Sequence, residues 1–226
     1  MTETLNRPIW QALISRQAAF AEGGATAKRF QTSVAPFLAA IDDSDASMAA
    51  LRDLISVDGM SVFLQATDCP PIARTEVVFA ADGVQMVAAR TFAPEDETGI
   101  IDLTEADARD MQALAALTKP GPFLQRTHEL GRFIGVRENG TLVAMAGERM
   151  KLPGFTEINA VCTHPDFRGR GLAGRLMRIV AGRIRASGET PFLHAFASNE
   201  NAIRLYETLG FELRSKMYVT ALRRKT

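Results

Sequence analysis

The stretch EINAVCTHPDFRGRGLAG, running from Glu157 to Gly174, decides how the rest of the chain is read. Its first half, Glu157 to Thr163, is apolar enough for a buried strand. His164-Pro165 makes a turn, and an arginine- and glycine-rich bend then opens a helix from about Leu172. A bend of this kind aims several backbone N–H groups at one point, with the positive end of the helix dipole behind them. Arg168 and Arg170 add charge, so the segment has the chemistry of a pyrophosphate cradle.

Working outward, the helix that begins in the cradle continues to Ala186 and closes at Gly188. Pro191 to Phe196 reads as a strand, Glu200 to Leu209 as a helix, and Phe211 to Leu222 as a last strand region. Upstream, Arg132 to Val136 and Thr141 to Lys151 flank Asn139-Gly140, the strongest short signal for a β-hairpin. Ile100 to Leu103 is a strand, and Thr104 caps a helix from Glu105 to about Leu117 with Asp107 in its first turn. A second short helix ends at Leu130. From Ile100 the predicted order is β-α-α-β-β-β-α-β-α-β, a mixed sheet with helices packed on it.

The acidic, proline-containing segment Thr91 to Gly99 reads as a linker. Before it, 5–22 have the spacing of an amphipathic helix, with Trp10, Leu13, Ile14 and Phe20 on one side. Two short extended pieces fall within 28–41. Ser44 caps a helix through Ile55, and Ser61 to Gln65 is a strand. Thr75 to Ala80 and Val84 to Ala89 read as two further strands separated by a turn at Ala81-Asp82-Gly83. The expected organisation is an α/β region over 1–95, read as a degenerate copy packed against the second unit, and a catalytic unit over 96–226.

Bulk properties narrow the classes of function. The 226 residues carry 26 basic and 26 acidic side chains, and a neutral chain lacks the basic excess expected of a nucleic-acid binder. The two cysteines, Cys69 and Cys162, form no CxxC pair, which speaks against a zinc site or disulfide framework and fits a reducing cytoplasm. No leader pattern opens the sequence and no apolar run suffices to span a bilayer. A cytoplasmic protein without a membrane or nucleic-acid partner is the expectation.

Gly169-Arg-Gly171-Leu-Ala-Gly174 satisfies GxGxxG, the fingerprint of dinucleotide sites, but its context does not. In that fold the strand feeds directly into the first glycine, whereas Thr163 to Arg168 intervene here. The next strand ends in His194-Ala-Phe-Ala-Ser198 rather than in an acidic residue that would hold a ribose. No GK[ST] follows the glycines, so a Walker loop is also excluded.

The stretch resembles the phosphate motif of the GCN5-related N-acetyltransferase superfamily, [R/Q]-x-x-G-x-[G/A], met by Arg168, Gly171 and Ala173. Downstream, Asn199-Glu-Asn-Ala202-Ile-Arg-Leu-Tyr206-Glu-Thr-Leu-Gly210-Phe211 is similar to that family's second hallmark, N-x-x-A-x-x-x-Y-x-x-x-G-F. Two motifs in the right order make the resemblance specific. It covers 98–222, and the half before it is similar in layout to the FR47-like branch. The resemblance implies an acyl-CoA N-acyltransferase fold, with a mixed, mostly antiparallel sheet splayed at a CoA cleft and an additional N-terminal α/β region.

The same resemblance implies the chemistry. Acetyl-CoA, or another acyl-CoA, is the implied cosubstrate, with no metal. Its pantetheine arm would lie along the backbone of Ala160, Val161, Cys162 and Thr163, and an N–H near Val161 would polarise the thioester carbonyl. The N–H groups of Gly169, Arg170, Gly171, Leu172, Ala173 and Gly174 would take the pyrophosphate beside Arg168, and Asn199 would contact pantetheine while capping its own helix. Tyr206 is the implied general acid for the leaving thiolate. Glu157 stands at the spacing of the family's base glutamate and is read as the base, against the alternative of a solvated carboxylate at a strand end. Cys162 reads as an inert buried thiol, His194 as a packing or substrate-side residue, and the arginines after the cradle as a solvated face from which Arg175 could reach the 3′-phosphate of CoA.

The reading is therefore an N-acyltransferase, in the first place an acetyltransferase, acting on a primary amine by direct attack in a ternary complex. The acceptor is an amine-bearing small molecule or a peptide, and the protein is a monomer or a homodimer. The alternatives are a non-catalytic acyl-CoA sensor and an enzyme that acetylates proteins or peptides rather than small molecules.

Overall fold

A computed structural model describes residues 2–57 and 59–225; Met1, Asp58 and Thr226 lie outside the described residues. The β-hairpin marked by Asn139-Gly140 is its most regular unit. Asn139 (φ 50°) and Gly140 (φ 80°) both adopt the left-handed conformation that a two-residue hairpin turn demands. They join two antiparallel strands, Phe133–Glu138 and Thr141–Leu152. Around it, in chain order, the strands are β1 (Ala21–Gly23), β2 (Ala27–Phe30), β3 (Phe37–Ala40), β4 (Ser61–Gln65), β5 (Thr75–Ala88), β6 (Ile101–Leu103), β7 and β8 (the hairpin), β9 (Phe155–Thr163), β10 (Thr190–Phe196) and β11 (Phe211–Arg224). The α-helices are α1 (Pro8–Leu13), α2 (Asp45–Leu54), α3 (Ala108–Thr118), α4 (Leu172–Ala186) and α5 (Glu200–Thr208).

Among the described residues the strands form one sheet in the order β1-β2-β3-β4-β11-β5-β10-β9-β8-β7-β6. Its pairings are antiparallel except β3 with β4 and β9 with β10. The expected mixed, mostly antiparallel sheet is thus the observed one. Two apolar layers cover its faces near the centre. Leu5, Ile9, Trp10 and Leu13 from the N-terminal segment pack with Phe37, Met150, Phe192 and Met217 on one side. Leu176, Met177, Val180 and Ile184 of α4 pack with Met86, Ile158 and Leu193 on the other.

Two expectations are corrected. The Ala81-Asp82-Gly83 turn does not exist: β5 runs unbroken from Thr75 to Ala88, and Asp82 and Gly83 pair with Tyr218 and Met217 of β11. The long partner strand holds the segment extended, overriding the local turn preference of Asp-Gly. The helix over 5–22 is also broken. Residues Thr2–Asn6 and Ala18–Phe20 are 3-10 turns around a short α1, whose N1 position is taken by Pro8. Elsewhere the local signals hold: Ser44 Oγ accepts from Ser47 N at the start of α2, and Thr104 and Asp107 form a capping box before α3.

The position of β5 has a consequence for organisation. It lies between β10 and β11, pairing with both, so the first 95 residues supply an interior strand to the sheet that carries the cradle. Linker residues Glu95 to Thr98 are tied to α4: Arg178 pairs with Glu95, Arg183 with Glu97, and Arg175 donates to the carbonyls of Asp96 (2.7 Å) and Thr98 (2.7 Å). No helix among the described residues is long and apolar enough to cross a membrane.

Candidate functional site

The site is built where the sheet divides. Parallel strands β9 and β10 pair through Thr190–Phe155, Pro191–Thr156 and Phe192–Glu157, and the ladder stops there. Beyond Glu157 and Phe192 the strands part: β10 continues against β5, and β9 continues against β8. The fork leaves the β10-facing edge of β9 over Ile158 to Thr163 without a partner strand, and this segment runs into the cradle.

Within that segment β9 carries a bulge. Cys162 faces Met145 and Asn159 faces Gly147, so Ala160 and Val161 together oppose the single residue Ala146. Ala160 takes φ 54°, unusual for a residue with a side chain. A bulge leaves one residue unpaired and locally disrupts the ladder, and such bulges are over-represented beside active sites. Cys162 faces inward; burial pushes its thiol up to about 11, so it stays protonated and inert at neutral pH.

The cradle follows after a 3-10 turn at Pro165–Phe167, capped by His164 Nδ1, which accepts from Asp166 N (3.3 Å). Gly169 (φ 78°) and Gly171 (φ 73°) take left-handed conformations, and no atom lies within 4 Å of where either Cβ would stand. The glycines are there for backbone shape and for open approach by a ligand. Among the described residues, no backbone carbonyl accepts from the N–H groups of Gly169 to Gly174. Arg168 and Arg170 are exposed beside them, with the Arg170 guanidinium 4.8 Å from the centre of the Phe167 ring. A run of free N–H donors at the start of a four-turn helix, flanked by two arginines, fits a pyrophosphate.

Helix α5 stands against this loop. A Cβ on Gly174 would come within 3.8 Å of Leu205 Cδ1, so the start of α4 and the middle of α5 are neighbours. Asn199 Oδ1 accepts from Ala202 N (3.3 Å) and caps α5. Tyr206 packs edge-on to Phe211 (6.5 Å) in the apolar layer that also holds Val161 and Leu172. Burial raises its phenol above the ordinary value, so it carries its proton throughout the neutral range.

Glu157 is placed differently from the sequence expectation. It is neither solvated nor open to an acceptor: its exposure is 0 %, and its oxygens are filled. Arg149 donates to both, Nη2 to Oε1 (2.7 Å) and Nε to Oε2 (2.8 Å). His194 Nδ1 lies 2.7 Å from Oε1, and Met150 N donates to Oε2 (3.3 Å). Although burial opposes ionisation, the Arg149 charge and the His194 contacts win and hold the carboxyl down to about 2. A carboxylate this acidic and this fully bonded is a poor proton acceptor, and the solvated-carboxylate alternative fails outright.

Sequence reading missed the partners of Glu157. Arg149 is on the neighbouring strand and 5 % exposed, its guanidinium 4.7 Å from the centre of the Phe37 ring. Gln85 on β5 is fully buried, with Nε2 2.9 Å from His194 Nε2. The available signal was a lone polar residue inside an apolar strand: Gln85 in VQMV and His194 in FLHAF. Arg175, assigned a possible phosphate contact, is instead engaged by the linker carbonyls.

Comparison with known proteins identifies the family. The sequence profile of the FR47-like protein family matches residues 133–220. N-alpha-acetyltransferase RimI of Mycobacterium tuberculosis is 32% identical over 130 residues, covering 51% of this chain and 81% of that protein. A mycothiol acetyltransferase of Brachybacterium faecium is 35% identical over 132 residues, although the match covers only 36% of its length. The crystal structure of a GNAT-family protein of Novosphingobium aromaticivorans superposes with a TM-score of 0.93 at 40% identity, covering 98% of this chain and 99% of that one. A GCN5-related N-acetyltransferase of Kribbella flavida shares the fold at 14% identity and a TM-score of 0.66, covering 96% of this chain and 95% of its own. The chain belongs to the GCN5-related N-acetyltransferase superfamily and is an acetyl-CoA-dependent N-acetyltransferase.

Proposed function

We propose that the enzyme moves the acetyl group of acetyl-CoA directly to the α-amine of a peptide acceptor, with both substrates bound at the fork between β9 and β10. The observation that carries this reading is the continuity of the fork with the cradle. The free edge of β9 over Ala160 to Thr163 leads without interruption to the N–H groups of Gly169 to Gly174. A pantetheine arm would lie along that edge, with Asn199 at its side, and a pyrophosphate would sit at the start of α4 between Arg168 and Arg170.

In this reading the neutral amine nitrogen attacks the thioester carbonyl carbon. The oxyanion is met by an N–H at the Ala160–Val161 bulge, the C–S bond breaks, and the sulfur takes the Tyr206 proton. The proton released by nitrogen passes to water, and the phenolate is reprotonated from solvent. Glu157 takes no proton in this scheme; it acts by position.

With the Glu157 oxygens fully bonded, the acceptor supplies its own neutral amine in this reading. At pH 7 roughly a tenth of an α-amine is neutral, against well under a thousandth of a lysine side chain. Similarity to an N-alpha-acetyltransferase supports the same choice. The deciding assay offers acetyl-CoA with peptides that have a free α-amine, and with matched peptides whose only amine is on lysine. Thiol release and an acetyl mass shift at the first residue are expected with the former; transfer confined to lysine would overturn the α-amine assignment.

A further inference from the structure

Five consecutive strands, β8, β9, β10, β5 and β11, are joined on one face by a single row of polar side chains. Arg149 of β8 is bound to Glu157 of β9, Glu157 to His194 of β10, His194 to Gln85 of β5, and Gln85 Oε1 accepts from Arg214 Nη1 of β11 (2.9 Å). The donors and acceptors fix one arrangement. Glu157 can only accept, so His194 carries its proton on Nδ1. Gln85 Nε2 also donates to Leu5 O (3.0 Å) and its Oε1 faces a guanidinium, so a flipped amide would set oxygen against oxygen and donor against donor. Gln85 therefore donates to His194 Nε2, and each link supports the next.

The row crosses the fork at its apex. The last backbone pairing between β9 and β10 is Glu157 with Phe192, and the next link between these two strands is the Glu157–His194 hydrogen bond. Past it the strands separate to leave the edge along which pantetheine would lie. We infer that the Glu157–His194 bond sets the opening of the fork, making His194 and Glu157 positioning residues for acyl-CoA rather than groups that exchange a proton with substrate. The N-terminal segment braces them from above: Leu5 O and Asn6 Oδ1 accept from Gln85 and Arg214, and Phe37 lies against Arg149.

This inference rests on the placement of CoA proposed above, and two isosteric variants test it. His194→Asn puts a donor where Nδ1 stands and keeps the bond to Glu157. His194→Gln reaches the Nε2 position, keeps Gln85 and loses Glu157. CoA itself is the probe, titrated calorimetrically into the full chain, with thermal unfolding in parallel. If the bond across the apex sets the fork, His194→Gln weakens CoA binding about tenfold or more, since small misplacements of a bound group are costly, while His194→Asn stays within about threefold. Equal CoA affinities in the two folded variants would overturn the inference, whatever their melting temperatures. Should His194→Gln not fold, Glu157→Asp withdraws the carboxylate from His194 by one methylene with its charge kept; wild-type CoA affinity there is equally fatal. A wild-type chain that does not bind CoA refutes the placement of the cosubstrate itself, a distinct result.

Discussion

Arg149 and Glu157 form a bidentate ion pair, Nη2 to Oε1 at 2.7 Å and Nε to Oε2 at 2.8 Å, with side-chain exposures of 6% and 0%. Two full charges are thereby neutralised beneath Phe37 at the point where the sheet forks. Removing one partner strands the other charge in the interior. Arg149→Met is expected to cost about 3–5 kcal/mol in chemical denaturation, with Arg149→Met combined with Glu157→Leu recovering much of the loss. A single variant within about 1 kcal/mol of wild type would show that the pair is not buried in solution.

The same pair makes stability depend on acid. The Glu157 carboxyl is depressed in the folded state to about 2 from an ordinary 4.5, so its contribution is complete above the ordinary value and fades as pH falls toward 2. Wild-type melting temperature should therefore fall more steeply between about pH 4.5 and pH 2 than that of Glu157→Gln. Parallel melting curves for the two proteins across this window would contradict the depressed value.

Tyr206 has a phenol kept protonated by burial and stands on the helix beside the cradle. Tyr206→Phe keeps the ring against Phe211 and removes the hydroxyl that would give the proton. Turnover should drop about a hundredfold, within the range for loss of a general acid, at nearly unchanged acetyl-CoA affinity. Full turnover in this variant would end the assignment.

Gly171 has φ 73° and open space where a Cβ would point. The Cβ of Gly171→Val meets no atom within 4 Å, so the cost expected at that atom is that of the left-handed backbone, about 1–2 kcal/mol. CoA affinity should fall much further than stability suggests, because the side chain would project into the approach to the N–H cradle. A variant that melts early yet binds CoA normally would place the pyrophosphate elsewhere.

Truncation bears on how the two halves relate. Deleting 1–95 removes β5 from between β10 and β11 and uncovers Met217 and Phe192, which the N-terminal segment buries. The truncated chain should be insoluble or lack a cooperative transition. A folded, CoA-binding fragment would show that the later half closes its own sheet.

Much of the fold was written locally. Asn139-Gly140 dictates a hairpin because both residues accept positive φ, and Gly169 and Gly171 dictate the cradle for the same reason. Ser44, Thr104 and Asn199 mark helix starts through their own side chains. The shape of the cradle was legible because its donors are backbone groups of one continuous segment, and such segments leave a motif. Where long-range pairing competed with local preference, the sequence misled: Asp82-Gly83 has the composition of a turn and is held straight by β11.

The role of Glu157 was of the second kind. Its spacing ahead of the cradle suggested a base, but acidity is set by what surrounds a carboxylate, and Arg149, His194 and Gln85 come from three other strands. The sequence by itself determined the backbone geometry of the glycine cradle, because that geometry depends on neighbours along the chain. Only the tertiary structure decided which side chains have protons to give or take at the fork, because burial and charge pairing there depend on residues brought together from both halves of the protein.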